Sequence, residues 1–299
     1  MILNVSSRTD IVAFYTPWFL NRLKEGFVDV RNPFYEKQVS RIYFSDVEAI
    51  LFCTKNPIPI IKFLKNINKP ILFHITLTSY GKDIEPNVPP KGKIIEAIKK
   101  TSEIIGKDNL YIRYDPIFIS EKYTIEYHIK NFEKLCNYLD GYIEHIIISF
   151  LDEYKNVHNN YKYLKYKKLN ESDINEIGLN FGKIANEHNI KIQTCFEVVD
   201  LTKYGFIKEE CLSKEIAYRL TGRKNHKKWN ARKCNCVEMV DIGYYNTCHH
   251  LCKYCYANYE EKKVLENKNK HNPNSSLLIG ELKNDDIIKI RSDNSVRLK

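Results

Sequence analysis

The sequence predicts an α/β protein built as a (β/α) TIM-type barrel, whole or partial. Short apolar runs alternate with longer amphipathic segments over the first two-thirds of the chain, and a further strand-like run, 237–242, lies near the far end. Size agrees: 299 residues, 43% of them hydrophobic, suit one substantial core and exclude collagen-like, low-complexity and wholly disordered classes.

Strands are expected at 2–5, 49–53, 71–76, 110–114, 145–150 and 191–196, each a strand-length run rich in Ile, Leu or Phe. Helical patterns fall between them at 18–24, 58–66, 91–105, 125–139 and 171–187. The last opens well, with Asn170 as an N-cap before Glu171, Ser172 and Asp173. Strand–helix alternation at this spacing predicts βαβ units and a parallel sheet. Six strands before residue 200 favour a single domain, with 1–200 forming the main part of the barrel and 201–299 completing it.

After Asp200 the texture changes. The basic stretch 219–233, broken by Gly222, reads either as a solvated loop or as a lid or electrostatic guide for an anionic substrate. A seventh strand is expected at 237–242, a helix at 256–267, a loop at 267–276, and a charged, partly mobile tail from Asp285.

Residues 1–10 lack the basic region and apolar run of a secretory signal, and no apolar stretch approaches the ~20 residues that span a bilayer. A cytoplasmic protein without a membrane partner is expected. Nine cysteines in that setting point to metal or redox chemistry rather than disulfides. The net charge of +10 fits an anionic or nucleic-acid partner, and fits a lysine-rich composition equally well.

Chemistry on parallel sheets collects where strands end. Those ends are polar here: Ser6-Ser7-Arg8-Thr9-Asp10, Thr54-Lys55-Asn56, Thr76 with Thr78, Arg113 with Asp115, Ser149 with Asp152, and Gln193 with Glu197. Any one alone is as readily a cap or a turn. Together they favour a polar pocket at one mouth of a barrel.

The sharpest signal is Cys248-His-His-Leu-Cys252-Lys-Tyr-Cys255. Three thiols at this spacing, after a predicted strand, can converge on zinc, copper(I) or an iron–sulfur cluster. A structural zinc site wants a fourth ligand, which His249 or His250 would have to supply. Without one, the trio fits a [4Fe–4S] cluster with one iron left open. A second group comprises Cys195, Cys211, Cys234 and Cys236. It reads as an auxiliary [4Fe–4S] cluster, as a zinc site, or as ordinary buried cysteines. Cys53 and Cys136 lie in apolar contexts and read as packing residues.

The Cys-x3-Cys-x-aromatic-Cys pattern, with Tyr254 as the aromatic, resembles the cluster motif of the radical S-adenosylmethionine (SAM) superfamily. With Asp241-Ile-Gly-Tyr-Tyr-Asn-Thr-Cys248, Ser7-Arg8-Thr9-Asp10, Thr54-Lys55-Asn56-Pro57 and Arg113-Tyr-Asp-Pro116, the chain resembles the domain-of-unknown-function family 1848 over nearly its whole length. The resemblance implies that Cys248, Cys252 and Cys255 ligate three irons and that SAM chelates the fourth. Reductive cleavage of SAM then yields a 5′-deoxyadenosyl radical that abstracts hydrogen from a substrate. It also implies an electron donor such as flavodoxin or ferredoxin. Tyr254 packs against the cluster or adenine in this reading, or is simply core. Thr54, Asn56, Gln193 and Glu197 are the further cofactor-binding candidates. Arg113 and Asp115 are the candidates for contact with ribose or substrate. The motif departs from the usual order by lying near the C-terminus, which a circular permutation reconciles: 237–242 takes the place of the first strand and 2–5 follows it. The usual glycine-rich motif for the SAM amino group is not recognisable after 2–5. Two other functions compete: an iron–sulfur or zinc protein that binds nucleic acid through 219–233, and a structural zinc site in an unrelated barrel enzyme.

Overall fold

The computed structural model describes residues 1–195, 197–230 and 234–292. Phe196, residues 231–233 and residues 293–299 lie outside the described residues. With them go the end of the expected sixth strand, the end of the basic stretch and the last part of the expected tail.

In chain order the elements are β1 (Ile2–Val5), α1 (Ile11–Phe14), α2 (Thr16–Glu25), β2 (Phe27–Arg31), β3 (Gln38–Tyr43), β4 (Ala49–Thr54), β5 (Ile71–Thr76), α3 (Lys91–Ile105), β6 (Leu110–Ile117), α4 (Ile125–Leu139), β7 (His145–Phe150), α5 (Lys155–Asn159), α6 (Tyr161–Leu164), α7 (Glu171–Glu187), β8 (Lys191–Thr194), α8 (Lys214–Thr221), β9 (Met239–Asp241), α9 (Glu261–Asn269) and β10 (Ile287–Ile290). Seven strands form one sheet in the order β8-β7-β6-β5-β4-β1-β9, and every pairing in it is parallel. β8 and β9 are its outer strands, and among the described residues no strand pairing joins them. The α/β architecture with a parallel sheet is therefore as expected. The late strand β9 lies beside β1, with Ile2 opposite Met239 and Asn4 opposite Asp241.

Both faces of the sheet are covered, which is why its strands read as near-continuous apolar runs. On one face Val5, Phe52, Phe73, Ile112 and Ile148 join one core with Trp18, Phe19, Ile98, Phe132 and Phe181 of the surrounding helices. α4 and α7 meet there through stacked Phe132 and Phe181 rings, with centroids 3.9 Å apart. On the other face Ile2, Leu51, Leu72, Tyr111 and Ile147 pack with Ile216, Ala217 and Leu220 of α8. The segment after β8 thus fills the face that the other helices leave open.

Four expectations need correction. The 58–66 stretch forms only a 3-10 helix, Ile61–Asn66; Pro57 and Pro59 remove donors and disfavour helical geometry just ahead of it. The late helix starts at Glu261 rather than 256, because Asn246 Oδ1 holds the amides of Tyr259 (2.6 Å) and Glu260 (3.3 Å) in a turn. It also runs to Asn269, two residues past its expected end at 267. The tail is not loose over 287–290: β10 pairs with β3 in a second sheet of order β10-β3-β2.

Candidate functional site

β9 delivers the cysteine loop to the sheet end where β1 also finishes. The Asp241 carboxylate ties the two together, accepting from Ser6 Oγ (2.9 Å), the Ser7 amide (2.6 Å), Arg8 Nε (3.0 Å) and the Gly243 amide (2.7 Å). Gly243 is required here, since a Cβ on it would lie 1.9 Å from Ser6 Oγ. The loop that follows is fastened by asparagines. Asn87 Nδ2 donates to the His249 carbonyl (2.8 Å), Asn160 Nδ2 to that of Lys253 (2.8 Å), and Asn258 Nδ2 to that of Cys248 (2.7 Å). Asn156 Nδ2 donates to the Cys255 carbonyl. Each bond satisfies a loop carbonyl that no sheet or helix would reach.

The loop brings Cys248, Cys252 and Cys255 into one another's field. Burial pushes the Cys248 thiol far up, and Cys255, Asp10 and Cys252 add to it. Burial likewise raises Cys252 and Cys255. The neighbouring histidines are engaged elsewhere. His250 Nε2 lies 3.0 Å from Asp10 Oδ2, and His249 Nε2 lies 3.3 Å from the Tyr15 hydroxyl. Neither ring is poised as the fourth ligand of a zinc site. Among the described residues, no group of three or more His, Cys, Asp or Glu is arranged to hold a single metal ion.

Asp10 is the hub below the loop. It caps α1 through the Ala13 amide (2.9 Å) and accepts from Thr54 Oγ1 (2.7 Å) and the Lys55 amide (2.8 Å). The Ser-Arg-Thr-Asp and Thr-Lys-Asn motifs therefore meet under the cysteine loop. Thr54 also takes the Asn56 amide (2.9 Å), and Asn56 Oδ1 takes that of Ile58 (3.2 Å). Thr54 Oγ1 and Asn56 Oδ1 are thus both engaged in bonds within the protein.

Lys55 reaches a network that sequence reasoning did not find. Its Nζ meets Glu85 Oε1 at 2.9 Å, and Thr78 Oγ1 donates to the same oxygen at 2.7 Å. Lys91 and the Tyr254 hydroxyl also donate to Glu85. Burial alone would push the Glu85 carboxyl up, but the two ammonium groups outweigh it and hold it far below the carboxylate range. Tyr254, 7% exposed, lies with its ring centroid 5.3 Å from Lys55 Nζ.

The remaining predicted residues gather at the ends of β6, β7 and β8. Arg113 pairs with Asp115 through Nε (2.9 Å) and Nη2 (2.6 Å), and Ser149 Oγ donates to Asp115 Oδ1 at 2.5 Å. Glu197 takes the Phe150 amide at 2.8 Å; burial, then Asp152, Cys195 and Asp115, push its carboxyl up to about 7. Gln193 Nε2 donates to the Glu209 carbonyl (2.8 Å), while its buried Oε1 has no hydrogen-bond partner among the described residues. Arg113 Nη1 lies 3.3 Å from Cys211 Sγ, and Cys211 Sγ lies 3.2 Å from Cys195 Sγ. Cys211 holds the Cys236 thiol below its ordinary value, and Cys234 acts on it in the opposite sense. The candidates thus divide into a Cys248–Cys252–Cys255 group and a group around Arg113 with the other four cysteines. Asp115 is near enough to act electrostatically on Lys55, so the two adjoin.

The family model described as Domain of unknown function (DUF1848) matches residues 2–257. The chain belongs to this family. The DUF1848 match runs from β1 past the third loop cysteine, so both thiol groups and Asp10, Lys55 and Glu85 fall inside it. It ends before α9 and β10. No curated protein matches the chain.

Proposed function

We propose that this protein is a radical SAM-type iron–sulfur enzyme, with a [4Fe–4S] cluster on Cys248, Cys252 and Cys255 and SAM on the open iron. The observation that carries the reading is a cysteine trio at a parallel-sheet mouth, Cys252 buried and Cys248 and Cys255 half-buried, whose two adjacent histidines are committed to Asp10 and Tyr15. The donor set fits: soft thiolates select iron–sulfur centres, and a cubane needs each sulfur on a different iron rather than all around one point. Strand order supports the permuted-barrel form of this reading. From β9 through β1 to β8, the sheet runs as a barrel would whose first strand precedes the cluster loop.

When bound, such a cluster supplies an electron to the sulfonium of SAM, releasing a 5′-deoxyadenosyl radical that takes hydrogen from a substrate. The chain's own residues prepare the ground. Asn87, Asn156, Asn160 and Asn258 fix the loop backbone, so that the three sulfurs are positioned before anything binds. Lys55 and Lys91 against the single Glu85 leave one positive charge within electrostatic reach of Cys252, which offsets thiolate charge. Arg113 and Asp115 neutralise each other and present an oriented polar wall for a ribose or an anionic substrate. Flavodoxin or ferredoxin would deliver the electron. The nucleic-acid reading has less support: Arg219 is committed to Asn109 Oδ1 (2.6 Å) and the Asp108 carbonyl, and Arg223 to Glu48 (2.9 Å). The basic stretch is thus partly folded onto the body.

The test is anaerobic reconstitution followed by reduction in the presence of SAM. The expected outcome is iron- and sulfide-bearing brown protein that forms 5′-deoxyadenosine, with formation lost in Cys252→Ala. Equal activity of the two chains, or a fully reconstituted wild type that leaves SAM intact, would overturn the assignment.

A further inference from the structure

The segment after β7 carries charges and rings that the candidate site does not use. Residues 154–168, which include α5 and α6, hold five lysines, four tyrosines and no acidic residue. Lys155, Lys162, Lys165, Lys167 and Lys168 are all exposed. Among the described residues none of the five sits in an ion pair, whereas Lys37, Lys107 and Lys122 pair with Asp285, Glu144 and Asp83. Tyr154, Tyr161 and Tyr163 are exposed as well. This segment abuts the cysteine loop. Asn156 and Asn160 donate to the loop carbonyls of Cys255 and Lys253. The Tyr154 and Tyr256 ring centroids lie 5.7 Å apart, and Lys253 Nζ lies 4.9 Å from the Tyr163 centroid. Tyr256, exposed and tethered by its hydroxyl to the Ser7 carbonyl (2.5 Å), carries the ring surface on to the loop itself.

We propose that this surface binds single-stranded nucleic acid and presents it to the cysteine loop, which makes a polynucleotide the substrate class of the site; only that last step rests on the enzyme reading above. The two residue types divide the work. Lysines without carboxylate partners attract phosphates and release their counter-ions. Tyrosine rings stack on bases, whatever the sequence. A duplex keeps its bases stacked on one another and away from such rings, so a single strand is the better fit. A lipid surface would call for an apolar helix face, but the two aliphatic residues of the stretch, Val157 and Leu164, are buried in the body. An acidic protein would answer the charges and leave the rings without a stacking role.

The experiment is fluorescence anisotropy of the full chain with labelled oligothymidylate and oligouridylate of about 16 nucleotides, without SAM or reductant. Because no chemistry is read, failure of the enzyme reading and failure of this one are separate results. Binding of either strand is expected, weakening steeply with salt. Changing Lys165, Lys167 and Lys168 together to Glu should weaken it about tenfold or more and make the log–log salt slope shallower by about two. Changing the exposed Lys24, Lys65 and Lys100 of other elements to Glu should leave it within about threefold. Tyr161→Ala with Tyr163→Ala should weaken it about fivefold or more. Absence of binding, equal loss from the two lysine sets, no effect of the tyrosine pair, or tighter binding of a duplex or of phosphatidylserine vesicles would each overturn the proposal. Should a variant fail to fold, photocrosslinking of 5-iododeoxyuridine strands to the wild type decides: adducts on Tyr161, Tyr163 or Tyr256 support the surface, and adducts only elsewhere overturn it.

Discussion

Glu85 collects two lysines, a phenol and a threonine hydroxyl on one buried carboxylate. Removing its charge would strand Lys55 and Lys91 without a counter-ion. Glu85→Gln should cost about 3–5 kcal/mol in urea unfolding at neutral pH. The pH dependence has a definite sign. The folded carboxyl lies below its ordinary value of 4.5, so its contribution is complete above that pH and drains away as pH falls toward the depressed value. The variant should therefore show a flatter decline in stability below pH 4.5 than the wild type; an equally steep one would mean that other carboxylates dominate. No spacing pattern in the sequence announces this cluster. Glu85 sits among Ile84, Pro86 and Asn87 in what reads as a turn, and its partners lie 30, 7, 6 and 169 positions away. Only the fold brings Lys55 and Tyr254 to it.

α7 shows how closely one helix can seat a connecting segment. A Cβ on Gly182 would fall 1.9 Å from the Tyr204 carbonyl, and one on Gly178 would fall 2.8 Å from Leu201 Cδ2. Gly182→Ala should destabilise the protein by about 1–3 kcal/mol in denaturant unfolding, because the obstacle is backbone that must move with the segment leading to Cys211. β10 tests a different kind of attachment. Arg31 grips Asp286 through both nitrogens, at 2.5 and 2.7 Å, holding that carboxyl down at about 2. Asp286→Asn should loosen the strand, seen as faster hydrogen exchange at the amides of Ile287 and Arg291, which bond to the Lys37 and Arg41 carbonyls. Unchanged exchange would show that backbone pairing alone suffices. The same ion pairs explain why this small sheet was not legible in the sequence. Asp29, Arg31, Ser40 and Arg41 interrupt its apolar alternation, and the strands are held by Arg41–Asp29 and Arg31–Asp286 instead. The large sheet was legible because strands buried on both faces are near-continuous apolar runs, as Ile71–Thr76 and His145–Phe150 are apart from His74, Thr76, His145 and Ser149.

The segment beyond residue 260 lies outside the family match yet wraps the body. Trp18, fully buried, donates its indole N–H to the Ser275 carbonyl at 2.9 Å, and the Asp29 amide bonds to Ser276. A chain ending at residue 260 should expose Trp18, giving red-shifted tryptophan emission and a Tm lower by several degrees; unaltered emission would show the wrap to be dispensable. For the candidate site, the motif residues and their strand ends were readable one by one. So was the division of the cysteines into two groups; that the two groups adjoin was not, because it depends on where the segment after β8 turns back across the sheet.

The pairing of Ile2 with Met239 bears on how this chain is made. On the ribosome, β1 can find β4 within about fifty residues of synthesis, but its opposite flank stays unclaimed until some two hundred more have emerged. A nascent chain therefore carries a bare strand flank in its interior for most of its translation. Stalled chains ending near residue 230 should associate with holding chaperones, and those extended past 245 and clear of the exit tunnel should be released.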